Sequence, residues 1–339
     1  MGERAFSKLQ FGIESAAAHG TAVAADTILA GAEIPPVNPD RQPGFPEDNL
    51  GVRARSSRAR IDQLLATNTL KIPAAYFQAL PALLSCGIKG GITPAEQTPS
   101  QNDMLWAFTP SMVASNAPDS MTLEAGDDTQ AVEMEYLMFE RIMLSGQVAQ
   151  AGEMAPVALE ADYFARQVTP ASFTGSLSIP TMTDINAKLS RIYADALWAN
   201  RGVTELASIL RSWEFEVLTG LHPKFLGSAD KFFTTHGQSV LEVMLTLSFE
   251  RNALADAEWD KFRAGTKQAI RIKIDSGVAI GTGVNHSLTL DVFGAYENII
   301  PMAEEDRGNN VDTALFHGLY DPTGAQIFDA RVITNVAAI

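Results

Sequence analysis

The chain has 339 residues, 46% of them hydrophobic and 19% charged, which is a globular composition and excludes bulk disorder. Its 25 Lys and Arg stand against 40 Asp and Glu, a formal charge of −15, so no basic surface for gripping nucleic acid is expected. A single cysteine, Cys86, rules out an intrachain disulfide and a Cys-rich zinc site, and five scattered histidines form no HExxH.

In chain order, the N-terminus shows no apolar core before a small-residue cleavage site, so no leader is read there. The weakly apolar stretch 16–34 is Ala-rich and broken by His19, Asp26 and Glu33, so no membrane span is expected. The Ala- and Pro-rich stretch 31–49 reads as a long loop. Four arginines follow, Arg53, Arg55, Arg58 and Arg60, with no acid between them. Alone they mean a solvated face; in so acidic a protein they are candidates for contact with an acidic neighbouring subunit.

A helix is expected near 73–86, with Pro73 at its first position, Gly87 at its end and Pro81 a source of a kink. Beyond it the period is two. Val132, Met134, Tyr136, Met138, Ile142 and Leu144 share a parity broken by Glu140; Leu241 to Phe249, Ile270 to Ile274 and Leu288 to Val292 alternate likewise. Runs at 155–164, 211–218, 312–320 and 326–334 extend the pattern. Turn signals fall at Gly126-Asp127-Asp128, Ser145-Gly146, Thr219-Gly220, Gly281-Thr282-Gly283 and Asp321-Pro322-Thr323-Gly324. A second helix near 253–264 has Asn252 as N-cap, Gly265 as its stop, and an apolar stripe of Leu254, Trp259 and Phe262.

The segment Phe139–Gly146 echoes Trp213–Gly220, an offset of 74 residues (Leu144 against Leu218). With one helix per half, this reads as two tandem β domains, 1–168 and 184–339, joined by a Pro-, Ser- and Thr-rich linker at 169–183.

Chemistry is hard to place. Asp127-Asp128 reads as a hairpin turn rather than a carboxylate pair, and the glycines at 277–283 as a loop lacking the Lys and Ser/Thr of a phosphate cradle. His286 and His317 lie on strands with no nucleophile attached to either. Trp213 and Trp259 read as core anchors, and Met134, Met138, Met143 and Met154 as core filler. No catalytic residue, cofactor or metal site is assigned, and the chain is not read as an enzyme.

Several motifs resemble one family. Gln10-Phe11-Gly12-Ile13-Glu14-Ser15 followed by His19-Gly20-Thr21-Ala22-Val23-Ala24 is similar to its G-x-E … G-T-A-V-A opening. Phe108-Thr109-Pro110-Ser111 then precedes Ser120–Asp128. Later, Leu247–Arg251 runs into Trp259, Arg263–Thr266 and Ile270–Ile274, with His286–Asp291 and Leu319–Pro322 closing the series. In order and spacing the chain resembles the major tail, or tail tube, proteins of long-tailed (siphovirus-like) bacteriophages, over nearly its whole length.

The resemblance implies tail-tube-type β-sandwich or barrel domains with flanking helices, whose inner strands join those of other copies into a shared barrel. It implies a virion protein, assembled in the host cytoplasm, that stacks as rings into a conduit for double-stranded DNA without binding it specifically. Its partners would be itself (a trimer of tandem domains rather than a hexamer), the tape measure protein, and the tail terminator and distal tail proteins. The stretch 31–49 would reach the neighbouring ring. Because phosphate contacts would make passage sticky, an acidic bore is expected, and Glu133, Glu135, Glu214 and Glu216 on the strands 131–144 and 205–218 are the lining candidates. The inner tube of a contractile tail is the neighbouring alternative. A soluble β-sandwich hydrolase would need two facing carboxylates in a cleft, and a binding module would need clustered exposed aromatics.

Overall fold

The computed structural model describes residues 4–14, 17–33, 41–148, 155–306 and 308–339. Met154, Ser15 and the 34–40 part of the stretch 31–49 lie outside the described residues. The fold is mainly β, 50% strand and 8% helical, and among the described residues its strands form no closed barrel.

The first half carries β1 (Lys8–Glu14), β2 (Thr27–Ile28), β3 (Arg41–Gly44), β4 (Arg60–Leu64), β5 (Ala66–Ile72) and helix α1 (Leu80–Ser85). After these come β6 (Ala95–Glu96), β7 (Met104–Phe108), β8 (Ser120–Gly126), β9 (Ala131–Gln147), β10 (Val157–Ala165) and β11 (Val168–Ala171). The second half holds β12 (Ser190–Asp195), β13 (Leu210–Leu218), β14 (Leu221–Lys224), β15 (Thr235–Gln238), β16 (Glu242–Glu250) and helix α2 (Ala253–Arg263). It ends with β17 (Gln268–Ala279), β18 (Asn285–Asp306), β19 (Asn309–Gly318) and β20 (Phe328–Thr334).

Alternation builds the strands as read. Val243, Leu245, Leu247 and Phe249 are buried on β16, Ile270, Ile272 and Ile274 on β17, and Leu288, Leu290 and Val292 on β18, all in one hydrophobic core fed by both halves of the chain. That core lies beneath a continuous antiparallel path, β5-β10-β9-β13-β16-β19-β18. Among the described residues two strand pairings join the halves, β9 with β13 and β7 with β20, and the isolated bridges Tyr76 to Asp184 and Pro156 to Asn186 add to them.

The β9 strand is long because it serves two sets of neighbours. Its first part pairs with β8 and β11, its last part with β10 and β13. Between them lie two register shifts, one beside Tyr136, whose φ is +56°, and one at Glu140. Each extra residue re-aims the strand, which is why the apolar parity breaks there.

Three readings need correction. Ser145-Gly146 is no turn: β9 continues to Gln147, and Gly146 is there because a Cβ would lie 2.7 Å from the indole nitrogen of Trp213 on β13. The first helix covers only Leu80–Ser85, with Pro81 in its first turn, where a missing N–H costs nothing; Ile72 instead ends β5. On α2, Asn252 caps as expected, its side chain accepting from the N–H groups of Leu254 and Ala255, and Trp259 and Phe262 of the apolar stripe pack half-buried against the core, but Leu254 is exposed and the fully buried residues are Ala255 and Glu258. The Glu258 carboxylate can be buried because Lys261, Gln268 and the Tyr296 hydroxyl all donate to it.

The echo segments turn out to be partners. Trp213 lies opposite Gly146 and Leu218 opposite Arg141, so their likeness is that of adjacent antiparallel strands. A different correspondence appears in the topology. Each half has a two-stranded ribbon, a strand, a helix and a long antiparallel pair: β3/β4, β5, α1, β9/β10, and β14/β15, β16, α2, β18/β19. The triplets β5-β10-β9 and β16-β19-β18 occupy the seven-strand path in the same order.

Candidate functional site

Along that path one side of the strands packs on the core, and the other carries mainly polar side chains with half-buried Met143, Leu218, Met244 and Leu315 among them. On β10, Glu160 and Asp162 alternate with buried Leu159, Ala161 and Tyr163; on β13, Glu214 and Glu216 alternate with Trp213, Phe215 and Val217. The polar side also carries Lys71, Arg141, Ser145, Glu242, Thr246, Ser248 and Glu250.

Arg141 organises this face. Its guanidinium donates to Asp162 at 2.6 Å and Glu216 at 3.2 Å and lies 3.9 Å from Glu160, which in turn accepts from Lys71 at 2.9 Å. The bond to Asp162 is the main reason the Arg141 pKa is raised, against the cost of its burial. Asp162 is held below the usual carboxylate range: burial acts against ionisation, and Arg141, Thr69 and Lys71 outweigh it. Arg211 pairs with Glu250 at 3.2 Å and with Asp306. Among the described residues, six carboxylates (Glu160, Asp162, Glu214, Glu216, Glu242 and Glu250) therefore share the face with Lys71, Arg141 and Arg211, an excess of acids. Beside Glu214 an open groove of about 820 Å³ runs between Ser145, Arg211, Thr246 and Asp306.

Of the four carboxylates singled out in the sequence, Glu214 and Glu216 lie together on this face. Glu133 and Glu135 lie on the first part of β9, past both register shifts. Glu133 sits opposite Glu124 of β8 and Thr169 of β11; burial, then Glu124 and Glu14, push its pKa up. Glu135 accepts from Gln167 at 3.2 Å, and burial raises its pKa although Gln167 and Arg166 oppose this.

Arg53, Arg55, Arg58 and Arg60 lie on the loop and second strand of the β3/β4 ribbon, which pairs with itself and stands apart from the large sheet. All four are exposed. Two have acidic partners from outside the arginine run: Arg58 with Asp48 at 2.5 Å and Arg60 with Asp62 at 2.7 Å. The bond from Arg58 lowers the pKa of Asp48. Phe45, Leu50 and Val52 of the same arm are exposed, at 62%, 56% and 62%. The arm thus offers cations and apolar side chains together. The second ribbon, β14/β15, also exposes apolar residues, Phe225 and Leu226, and the sequence reading missed it; its one local signal is the turn at Thr219-Gly220.

Elsewhere, Asp127 makes the expected turn by accepting from the N–H groups of Thr129 and Gln130. His286 is buried against the Phe77 ring, and burial lowers its pKa. Among the described residues Ser120 and His19, 2.7 Å apart, come nearest to a nucleophile–base pair. The Ser120 hydroxyl, however, is buried and donates to Glu14. Among the described residues no three His, Cys, Asp or Glu side chains are placed to hold a metal, and no helix is long and apolar enough to cross a membrane. No protein-family model matches the chain, and no curated protein matches it.

Proposed function

We propose that this chain is the subunit of a bacteriophage tail tube, a virion protein whose copies join edge to edge into rings and stack into a conduit for DNA. The observation that carries this reading is the pair of open ends of the seven-strand path. At one end, β18 beyond Gly294 pairs, among the described residues, with β19 alone, because β17 and β20 leave it at Gly294 and Val292. At the other, among the described residues, β5 has β10 as its strand neighbour and one antiparallel bridge, Glu33 to Lys71, on its far side.

Strand direction makes the two ends complementary. Seven alternating strands leave β5 and β18 running the same way. Glu33 runs opposite to β5, so it meets the β18 of a second copy in antiparallel sense. Head-to-tail contacts of this kind close into rings, and closure removes the exposed edges that make sheets aggregate. Three copies of the seven strands and the Glu33 segment make a wall of about 24 strands. At roughly 4.8 Å per strand and a tilt near 40°, that is about 48 Å between backbones, wider than a DNA duplex. Six copies would double it, which favours the trimer.

The acidic polar face, with Glu214 and Glu216, would line the bore and repel phosphate over about 8 Å at physiological salt. The arginine arm would reach an acidic neighbour, and tape measure, terminator and distal tail proteins would meet the tube along its bore and at its ends.

The test is negative-stain microscopy of concentrated protein. Tubes of uniform width are expected from the wild type, and particles that stay dispersed with a native circular dichroism spectrum from Ile300→Lys/Met302→Lys, which charges the exposed part of β18. A wild type that stays monomeric at high concentration, or a lysine variant that assembles equally well, overturns the reading.

A further inference from the structure

The β14/β15 ribbon is held to the body by an aromatic cage at the point where β9 changes neighbours. The Tyr136 ring stacks on His19 at 5.2 Å between centroids and packs on Phe233 at 4.9 Å; its hydroxyl lies 3.0 Å from Nδ1 of His236. His19 and His236 meet edge to face at 5.4 Å. Arg166 lies over the Tyr136 and Phe232 rings and donates to three carbonyls: Gly20 beside His19, and Phe233 and Thr234 at the ribbon.

Hydrogen-bond accounting assigns the protons. The only hydrogen of the Ser120 hydroxyl goes to Glu14, so the His19 Nδ1–H must donate to Ser120. The Nδ1–H of the neutral His19 ring is thereby satisfied. In the tautomer that carries its hydrogen on Nε2, neutral His236 accepts from the Tyr136 hydroxyl at Nδ1, a role it loses on protonation. A second proton on each ring would put two new cations beside Arg166. The nearest anion, Glu14, is already engaged by Ser120, Thr122 and the N–H groups of Tyr136 and Gly20. Asp119 accepts from the N–H of Gly91, Glu135 from Gln167, and the ribbon adds Lys224 and His222.

We propose that the His19–Tyr136–His236 cage is an acid-released latch: with both imidazoles neutral it holds the β14/β15 ribbon and the 17–20 turn on β9, and protonating them frees the two together. The latch stands on this geometry whether or not copies assemble.

The direction with pH follows. Burial depresses the His19 pKa, with Glu14 and Asp119 opposing and Arg166 reinforcing. Burial, His19, Lys224 and His222 depress that of His236. Bases depressed in the closed form bind protons more readily once open. The latch is therefore whole above the ordinary imidazole pKa of about 6.5 and weakens as pH falls below it.

Amide hydrogen exchange on the full chain at pH 7.5 and 5.5, corrected for intrinsic rates, tests this. Protection of residues 17–20 and 221–238 should fall together, by up to about tenfold per histidine because pH 5.5 lies one unit below the ordinary imidazole value, while residues 242–250 keep theirs. In His19→Asn/His236→Asn, whose amides can replace the Nδ1 contacts, protection of the same segments should not depend on pH. Equal wild-type protection at both pH values, or the same fall in the variant, overturns the latch. Should the variant not fold, the Cε1–H resonances of the wild type decide. His19 and His236 are expected to titrate below the ordinary imidazole value, and titration at or above it refutes the proposal.

Discussion

Asp291 on β18 is the residue whose loss should weaken the fold most for one charge. Its carboxylate is fully buried and accepts from Arg271 at 2.6 and 2.8 Å and from Arg201 at 2.8 Å. Hydrogen bonds to charged groups contribute about 1.5–3 kcal/mol each, so three approach an upper bound of about 9 kcal/mol. Asp329, also buried and 3.7 Å from Arg201, takes up part of the loss. A cost of about 3–5 kcal/mol is expected for Asp291→Leu, the range for leaving a buried charge unpaired. At a urea slope near 3 kcal/mol/M, the unfolding midpoint falls by about 1–2 M. Arg271→Met/Asp291→Leu should cost less than the single change, because the stranded guanidinium is removed with its partner. A single-variant shift under about 0.3 M, or a double variant as unstable as the single one, would refute the reasoning.

Three further outcomes are expected. Asn252→Ala, which strips the α2 cap, should cost about 1 kcal/mol in denaturant unfolding and leave assembly unchanged; no loss would show that the cap contributes nothing. Gly294→Ala places a Cβ 2.0 Å from the His317 carbonyl oxygen, so β18 and β19 must separate there, seen as lost amide protection in both strands. Asp103 is buried, which raises its pKa, but N–H donors at Thr98, Val284 and Gln97, with the Thr98 side chain, bring it down to about 2. The bonds it makes between the 97–103 and 281–284 loops are complete above the ordinary aspartate pKa of about 3.9 and fail as pH drops toward 2. Asp103→Asn should abolish that acid step in the exchange of the Thr98 and Val284 amides, and an unchanged acid step counts against it.

Much of the fold was legible where the signal is local. The alternation at Val243–Phe249, Ile270–Ile274 and Leu288–Val292 marks strands with one buried face, since a residue's side of a strand depends only on its own count along the chain. Asn252 and Gly265 bracket α2 because a cap acts on N–H groups two and three residues away. The arginine run was visible too, although its partners Asp48 and Asp62 flank it.

What the chain kept hidden depends on residues far apart in it. Gly146 resembles a turn until Trp213 is laid against it, and Glu258 resembles a solvated helix residue until Gln268 and Tyr296 close over it. Glu133 and Glu135 share a strand with Arg141 yet not its neighbours, since two extra residues in β9 re-aim the chain between them. Strand order is the extreme case. An alternating segment carries its own inner and outer faces but no record of which edge it will meet, so β9 beside β13 and β7 beside β20 were settled only when the whole set of apolar faces packed into one core.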